Sequence, residues 1–268
     1  MPTNQVQSLQ RAIELLEALE AGQHALSIHE LCERTKLPKS TIHRLLSTMR
    51  DAGLVEQLQD GRYALGLKLF ELGCSAGCTR DVTAIAKPYM QAVSTETNES
   101  TSLALLTRGE ALILSFIESP SAFHVVSRVG AKLPAHCTVQ GKIMLAYMTK
   151  NEVRRILAEH GMQAYTSTTL RTLEELEPEL ERIRAQGYAV DNSEFHVGLS
   201  SVAAPIYDDK GHVCYSFAIV SMFHRIGSPE FVRATELALA AARDISRALG
   251  YVGGAFDHIR SSVPHLHG

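Results

Sequence analysis

The sequence predicts a two-domain α+β protein, with a small winged helix-turn-helix at the N-terminus and a larger mixed domain behind it. Three observations carry this. Three helical apolar patterns and one hairpin signal fall within about the first 66 residues. From Ser102 onward, strand-like runs alternate with helical segments, as in an α/β or α+β sheet domain. The chain has 268 residues, 45% of them hydrophobic and 21% charged, which suits one large domain or two of moderate size.

The elements follow in order. From Ser8 to Ala21, apolar Leu9, Ala12, Ile13, Leu16 and Leu19 keep helical spacing, and Gly22 is the stop. Ser27-Ile28-His29-Glu30 has the form of a capping box and opens a second helix to about Thr35. Leu37-Pro38 turns the chain. A third helix carries Ile42, Leu45, Leu46 and Met49 on one face and ends at Gly53. In VEQLQDGRYAL, Asp60-Gly61 reads as a two-residue hairpin turn. Helix resumes from Leu67 to roughly Thr97, broken near Gly73 to Gly77, with the domain boundary near Cys78 to Asp81. These readings divide the chain into a winged helix-turn-helix domain (1–66), a linker helix (67–80), a second domain (81–251) and a flexible tail (252–268).

In the second domain, strands are expected at Ser102 to Leu106, Leu112 to Ile117 and Phe123 to Val129, the first two joined by Arg108-Gly109-Glu110. Helices are expected at Val139 to Met148, Lys150 to His160 and Leu173 to Gln186. The last is capped by Thr172 with Glu175 and stopped by Gly187. Strands Val202 to Tyr207 and Val213 to Val220 flank the turn DDKG. Ser228-Pro229 then opens a long helix that ends at Gly250.

Charge placement separates a packed helix from a DNA-reading one. The net charge is -3, so a uniformly basic nucleic-acid coat is excluded and any DNA contact must be local. Opposite the apolar face of the third helix stand Lys39, Ser40, Thr41, His43, Arg44 and Ser47. From Arg34 to Arg50 there are five cations and no acid. Short hydrogen-bonding groups with cations suit a major groove about 12 Å wide. Arg62, beside the hairpin turn, is placed for a minor groove or phosphate. Double-stranded DNA is therefore the expected macromolecular partner.

The run LPKSTIHRLLSTMRDAGLV followed by GRYALGLKLFELG resembles the IclR family of bacterial transcriptional regulators. So do SRVGAKLPAHCTVQGKIMLA, GYAVDNSEFHVGLSSVAAPIYDDKG and ARDISRALGY. The resemblance spans about Val6 to Tyr251. It implies a C-terminal effector-binding domain of GAF-like or profilin-like fold, assembly as a homodimer or dimer of dimers, and a small carboxylate, sugar acid or aromatic acid as effector. It favours a repressor of a catabolic operon, with activation left open. By matching positions it implies a pocket built from His136, Cys137, Thr138, Val139, Gln140, Asp191, Glu194, Leu199, Ser201 and Ser221. Relatives tend to carry a small residue where Val139 stands, Cys where Ser201 stands and a second acid where Ser193 stands.

Other classes are less well supported. No P-loop, dinucleotide-binding glycine pattern, HExxH or GxSxG occurs, so an enzyme is not expected, and no cofactor is implied. Metal sensing would rest on His258, His265 and His267, or on Cys74 and Cys78, without a surrounding ligand cluster. A ligand-independent DNA-binding dimer is the remaining alternative. The polar N-terminus and short apolar runs lead to a cytoplasmic protein with no membrane partner.

Overall fold

The computed structural model of the chain describes residues 6–22, 24–75, 80–119, 127–221 and 226–256. The chain divides into two compact units, Met1–Cys78 and Thr79–Gly268.

The first unit has helices α1 (Gln7–Ala21), α2 (Ile28–Thr35) and α3 (Lys39–Asp51), strands β1 (Val55–Gln57) and β2 (Tyr63–Leu65), and helix α4 (Leu67–Ser75). Ser27 starts α2 with both arms of a capping box, since its hydroxyl accepts from Glu30 N while its own amide donates to the Glu30 carboxylate. Lys36 closes α2 in the left-handed conformation (φ 57°), and this bend directs the chain into α3. Leu15, Leu19, Leu31, Ile42, Leu46, Met49 and Tyr63 form one core. The hairpin differs from expectation. Leu58 N donates to Arg62 O, leaving three loop residues rather than two, and Gly61 supplies the positive φ of 82°. Leu26 adds a further bridge to Tyr63, which the sequence reading did not anticipate.

The second unit starts with α5 (Arg80–Thr97), followed by β3 (Ser100–Thr107), β4 (Glu110–Ile117) and β5 (Lys132–Pro134). Next come α6 (Val139–Ala146), α7 (Lys150–His160) and α8 (Leu173–Gln186). Strands β6 (Ala189–Asn192), β7 (Ser200–Tyr207) and β8 (Val213–Ser221) precede the final helix α9 (Pro229–Ala248). The sheet is antiparallel, in the order β5-β4-β3-β8-β7-β6. Strands β5 and β6 had escaped the sequence reading. Of the expected strand Phe123 to Val129, residues 123–126 lie outside the described residues, and Ser127–Val129 are not strand.

Alternation along the strands builds two cores. Val202, Ala204, Ile206, Phe217 and Ile219 face α5 and α9, while Ala203 and Ala218 face the side of α6, α7 and α8. Small residues on that second face admit α6 closely. Leu103 pairs with Ser115 and Ala104 with Ile113, so Leu114 is an extra, unopposed residue. The bulge re-phases β4, and both Ile113 and Phe116 then face the α6 side.

The tail needs a partial correction. Phe256 is buried and packs edge-on against Tyr207, with Ala255 half-buried beside it, whereas Val252 to Gly254 are exposed. Residues 257–268, with His258, His265 and His267, lie outside the described residues, as does Cys78. Among the described residues, no helix is long and apolar enough to cross a membrane.

Gly141 marks the tightest approach of α6. A Cβ there would stand 2.2 Å from Ala135 Cα and 2.4 Å from Ala135 O, both backbone atoms. Gly141→Ala should therefore destabilise the second unit by about 3 kcal/mol. A thermal melt should show the loss as a drop of several degrees; a midpoint within about 1 °C of the natural chain would show that α6 can move aside.

Candidate functional site

On α3 the apolar face is spent on the core, with Ile42 and Leu46 fully buried. The other face presents Lys39, Ser40, His43, Arg44 and Ser47 to solvent, with Thr41 half-buried beside them. Among the described residues, no carboxylate pairs with Lys39 or Arg44. Pro38 gives α3 no side-chain cap, and no acid occupies its first turn. Its leading amides and positive dipole end thus stay available to a phosphate. Arg62 is placed differently from its neighbours in the expected set, because its guanidinium is held by Asp60 at 2.7 Å.

In the second unit, a cavity of about 100 Å³ lies between the sheet and the start of α6. Its floor is a row across strands in which Asp191 pairs with Ser201, and Ser201 with Val220. Ser102, Ile113 and Phe116 extend the floor, and Thr138, Val139 and Gln140 form the α6 side. The segment after β6 adds Phe195, His196 and Leu199; Ser127 and Leu133 complete the rim. The cavity is thus apolar towards β4 and β5 and polar towards β6 and β7.

Six of the ten residues implied for the pocket line this cavity: Thr138, Val139, Gln140, Asp191, Leu199 and Ser201. The other four do not. His136 faces a separate polar crevice with Glu110, His160 and Tyr165, and its Nε2 lies 3.0 Å from Gln163 O. Burial lowers its pKa, against the hydrogen bond to Gln163. Cys137 is fully buried, which pushes its thiol up to about 12, so it offers no thiolate. Glu194 points away to Lys142 at 2.5 Å. Ser221 is buried outside the lining. Spacing alone could not separate these, because alternate residues on a strand or loop leave on opposite sides.

The polar groups differ in how they are satisfied. Asp191 is 5% exposed, and its Oδ1 accepts from Glu194 N at 2.7 Å. Burial raises its carboxyl to about 6, against that hydrogen bond and the charge of Lys142. Gln140 Nε2 donates to Ser102 Oγ at 2.8 Å. The Thr138 hydroxyl, which stands where a cap would, donates to Pro134 O instead (2.7 Å). The first amides of α6 therefore have no side-chain cap. Among the described residues, Ser201 Oγ, on a residue 4% exposed, has no hydrogen-bond partner. No group of three or more His, Cys, Asp or Glu is arranged to hold a metal among the described residues.

Comparison with known proteins agrees with this division. Residues 8–59 match the IclR helix-turn-helix domain, and residues 75–247 match the bacterial transcriptional regulator IclR C-terminal domain. The chain is 34% identical over 245 residues to the HTH-type transcriptional repressor AllR of Escherichia coli K12, covering 91% of this chain and 90% of that one. It is 32% identical to the transcriptional repressor IclR of the same strain, covering 92% of each. Among solved structures, an IclR homolog from Microbacterium hydrocarbonoxydans complexed with 4-hydroxybenzoate superposes with a TM-score of 0.81 at 26% identity, covering 91% of this chain and 99% of that chain. With both halves matched in order and the relatives covered nearly end to end, the chain belongs to the IclR family of bacterial transcriptional regulators.

Proposed function

We propose that this protein is a ligand-responsive repressor. Its α3 helices, paired in a two-fold assembly, read two operator half-sites roughly 34 Å apart, and its second unit binds a small organic acid. The observation that carries the reading is the cavity beside α6, within a chain whose other unit exposes a helix face that bears Lys39 and Arg44 and meets no acid before Asp51 in its last turn. One short helix gives little specific affinity, which is why a dimer is needed. Lys39, Ser40, Thr41, His43, Arg44 and Ser47 are the proposed DNA contacts. Arg62 joins them by exchanging Asp60 for a phosphate. The named relatives are repressors, which favours that sign of regulation.

The walls narrow the effector class. Ile113, Phe116 and Leu133 favour an apolar body. The uncapped amides of Val139 and Gln140 favour an anionic group. Asp191 and Ser201, at the other end, favour a hydrogen-bond donor such as a hydroxyl. A hydroxylated aromatic or aliphatic acid meets all three, and the 4-hydroxybenzoate complex of a homolog is an example of that chemistry. Binding acts on DNA affinity by population shift: the acid favours one arrangement of the paired DNA-binding units over another, to the extent that its affinities for them differ.

Three outcomes are expected. Arg44→Ala should weaken operator binding at least tenfold and lower the salt slope by about one unit per lost phosphate contact; an unchanged anisotropy titration removes Arg44 from the interface. In a thermal-shift panel of hydroxylated and plain acids on the full chain, a hit at a hundred times its dissociation constant should stabilise by about 2.7 kcal/mol. If no acid shifts the natural chain, the effector reading fails.

The third outcome needs no ligand. The folded pKa of Asp191, about 6, exceeds its unfolded value, so the folded state holds more protons between the two. Stability is therefore lost as pH rises through this window, and the full cost, roughly 3 kcal/mol, is present above it. Asp191→Asn should raise the midpoint of the second unit at pH 7.5 and leave it little changed at pH 4. An equal gain at both would show that ionisation is not the cause.

A further inference from the structure

Lys142 is a fully buried side chain from the middle of α6, where all eight residues are buried. Its Nζ donates to Val190 O at 2.6 Å and to Glu194 Oε1 at 2.5 Å, with Glu179 Oε1 at 3.5 Å. Compared with apolar residues of similar volume, a buried ion pair of this kind adds little net stability or none. Its geometry is more informative. Val190 and Glu194 bracket Asp191, so one ammonium grips the chain on both sides of the carboxylate that faces the cavity.

The gripped segment is closed on itself. Glu194 N donates to Asp191 Oδ1, and Ser193 N donates to Leu199 O at 2.8 Å. Ser193 takes the left-handed conformation (φ 61°), and its hydroxyl oxygen accepts from Gly198 N at 3.1 Å. The Glu194 carbonyl accepts from the Thr169 hydroxyl at 2.6 Å. This loop carries Phe195 and Leu199 into the cavity, while α6 carries Val139 and Gln140 in from the other side. Lys142 stands three residues along α6 from Val139. Its charge is already shared by Glu194 and Glu179, the second of which also pairs with Arg182.

We propose that Lys142 is the positioning residue of this pocket. Without touching ligand, it sets the spacing between the α6 wall and the 191–199 wall and holds Asp191 towards the cavity. The proposal rests on the reading of this cavity as the effector site.

The test is amide hydrogen exchange by mass spectrometry on the full, ligand-free chain at pH 7. Lys142→Met alone strands Glu194 in a buried place, so Lys142→Met with Glu194→Gln, which removes both charges, carries the experiment. Glu194→Gln alone serves if that double variant does not fold. The amides of Ser193, Glu194, Gly198 and Leu199 should exchange at least tenfold faster than in the natural chain, with those of β3, β7 and β8 unchanged. Unchanged exchange in 191–199, or acceleration in step with the whole sheet, would overturn the proposal in favour of a merely structural lysine. A failure here leaves the effector reading intact, whereas a natural chain that no acid stabilises defeats that reading and leaves the lysine's structural role standing.

Discussion

The second unit depends on how closely α6 can lie on its sheet. That approach is possible because Ala203 and Ala218 face it from β7 and β8, and because Gly141 has no Cβ to strike Ala135. The rest follows from it. A helix this deep brings its first amides over the middle of the sheet, where side chains shrink to Ser201 and Ser102 and space is left. It also carries Lys142 beyond the reach of water, so that the ammonium must find its partners inside the protein. Pocket and buried ion pair thus share one cause.

In the first unit the constraint is a division of labour around one helix. Ile42, Leu46 and Met49 attach α3 to α1 and α2, and the remaining face owes nothing to folding. Its residues are therefore open to the proposed DNA contact, and its first three turns carry Lys39 and Arg44 with no acid before Asp51. The same economy explains why α3 lacks a side-chain cap: an acidic cap would oppose the phosphate that its N-terminus is suited to receive.

How much of this was legible in the chain follows from how local each signal is. Capping boxes, stop glycines and apolar stripes act over three to seven residues, so Ser27 with Glu30, Thr172, Gly187 and the stripe of α3 could be read directly. Strands β5 and β6 are only three and four residues long and sit at the sheet edges, too short to show alternation. The family resemblance located the loop before α6 and the segment after Gly187, yet it could not say which neighbours turn inward. His136 and Cys137 point away while Thr138 and Val139 point in. Ser102, Ile113 and Phe116 were invisible because they come from strands far along the chain, and the two on β4 share a face only through the bulge at Leu114. For Lys142 a signal did exist: a lone cation inside VQGKIMLA, an otherwise uncharged helix, requires a buried counter-charge.

That counter-charge explains the most unusual group in the pocket. Glu194 and Glu179 absorb the ammonium of Lys142, and Asp191, next to them, is left with a backbone amide and the weakened remainder of the lysine's field. Burial raises its carboxyl to about 6, because that hydrogen bond and the lysine's charge only partly offset the desolvation. A carboxylate kept buried at a cost in stability is hard to explain by packing, since an apolar residue would fill the same space with less penalty. The cost is consistent with a site whose polar group is held ready for a partner of matching polarity. The cationic start of α3 and the partly compensated acid of the pocket are alike in this respect: each is a charge that the fold leaves incompletely paired and that the proposed ligands would satisfy.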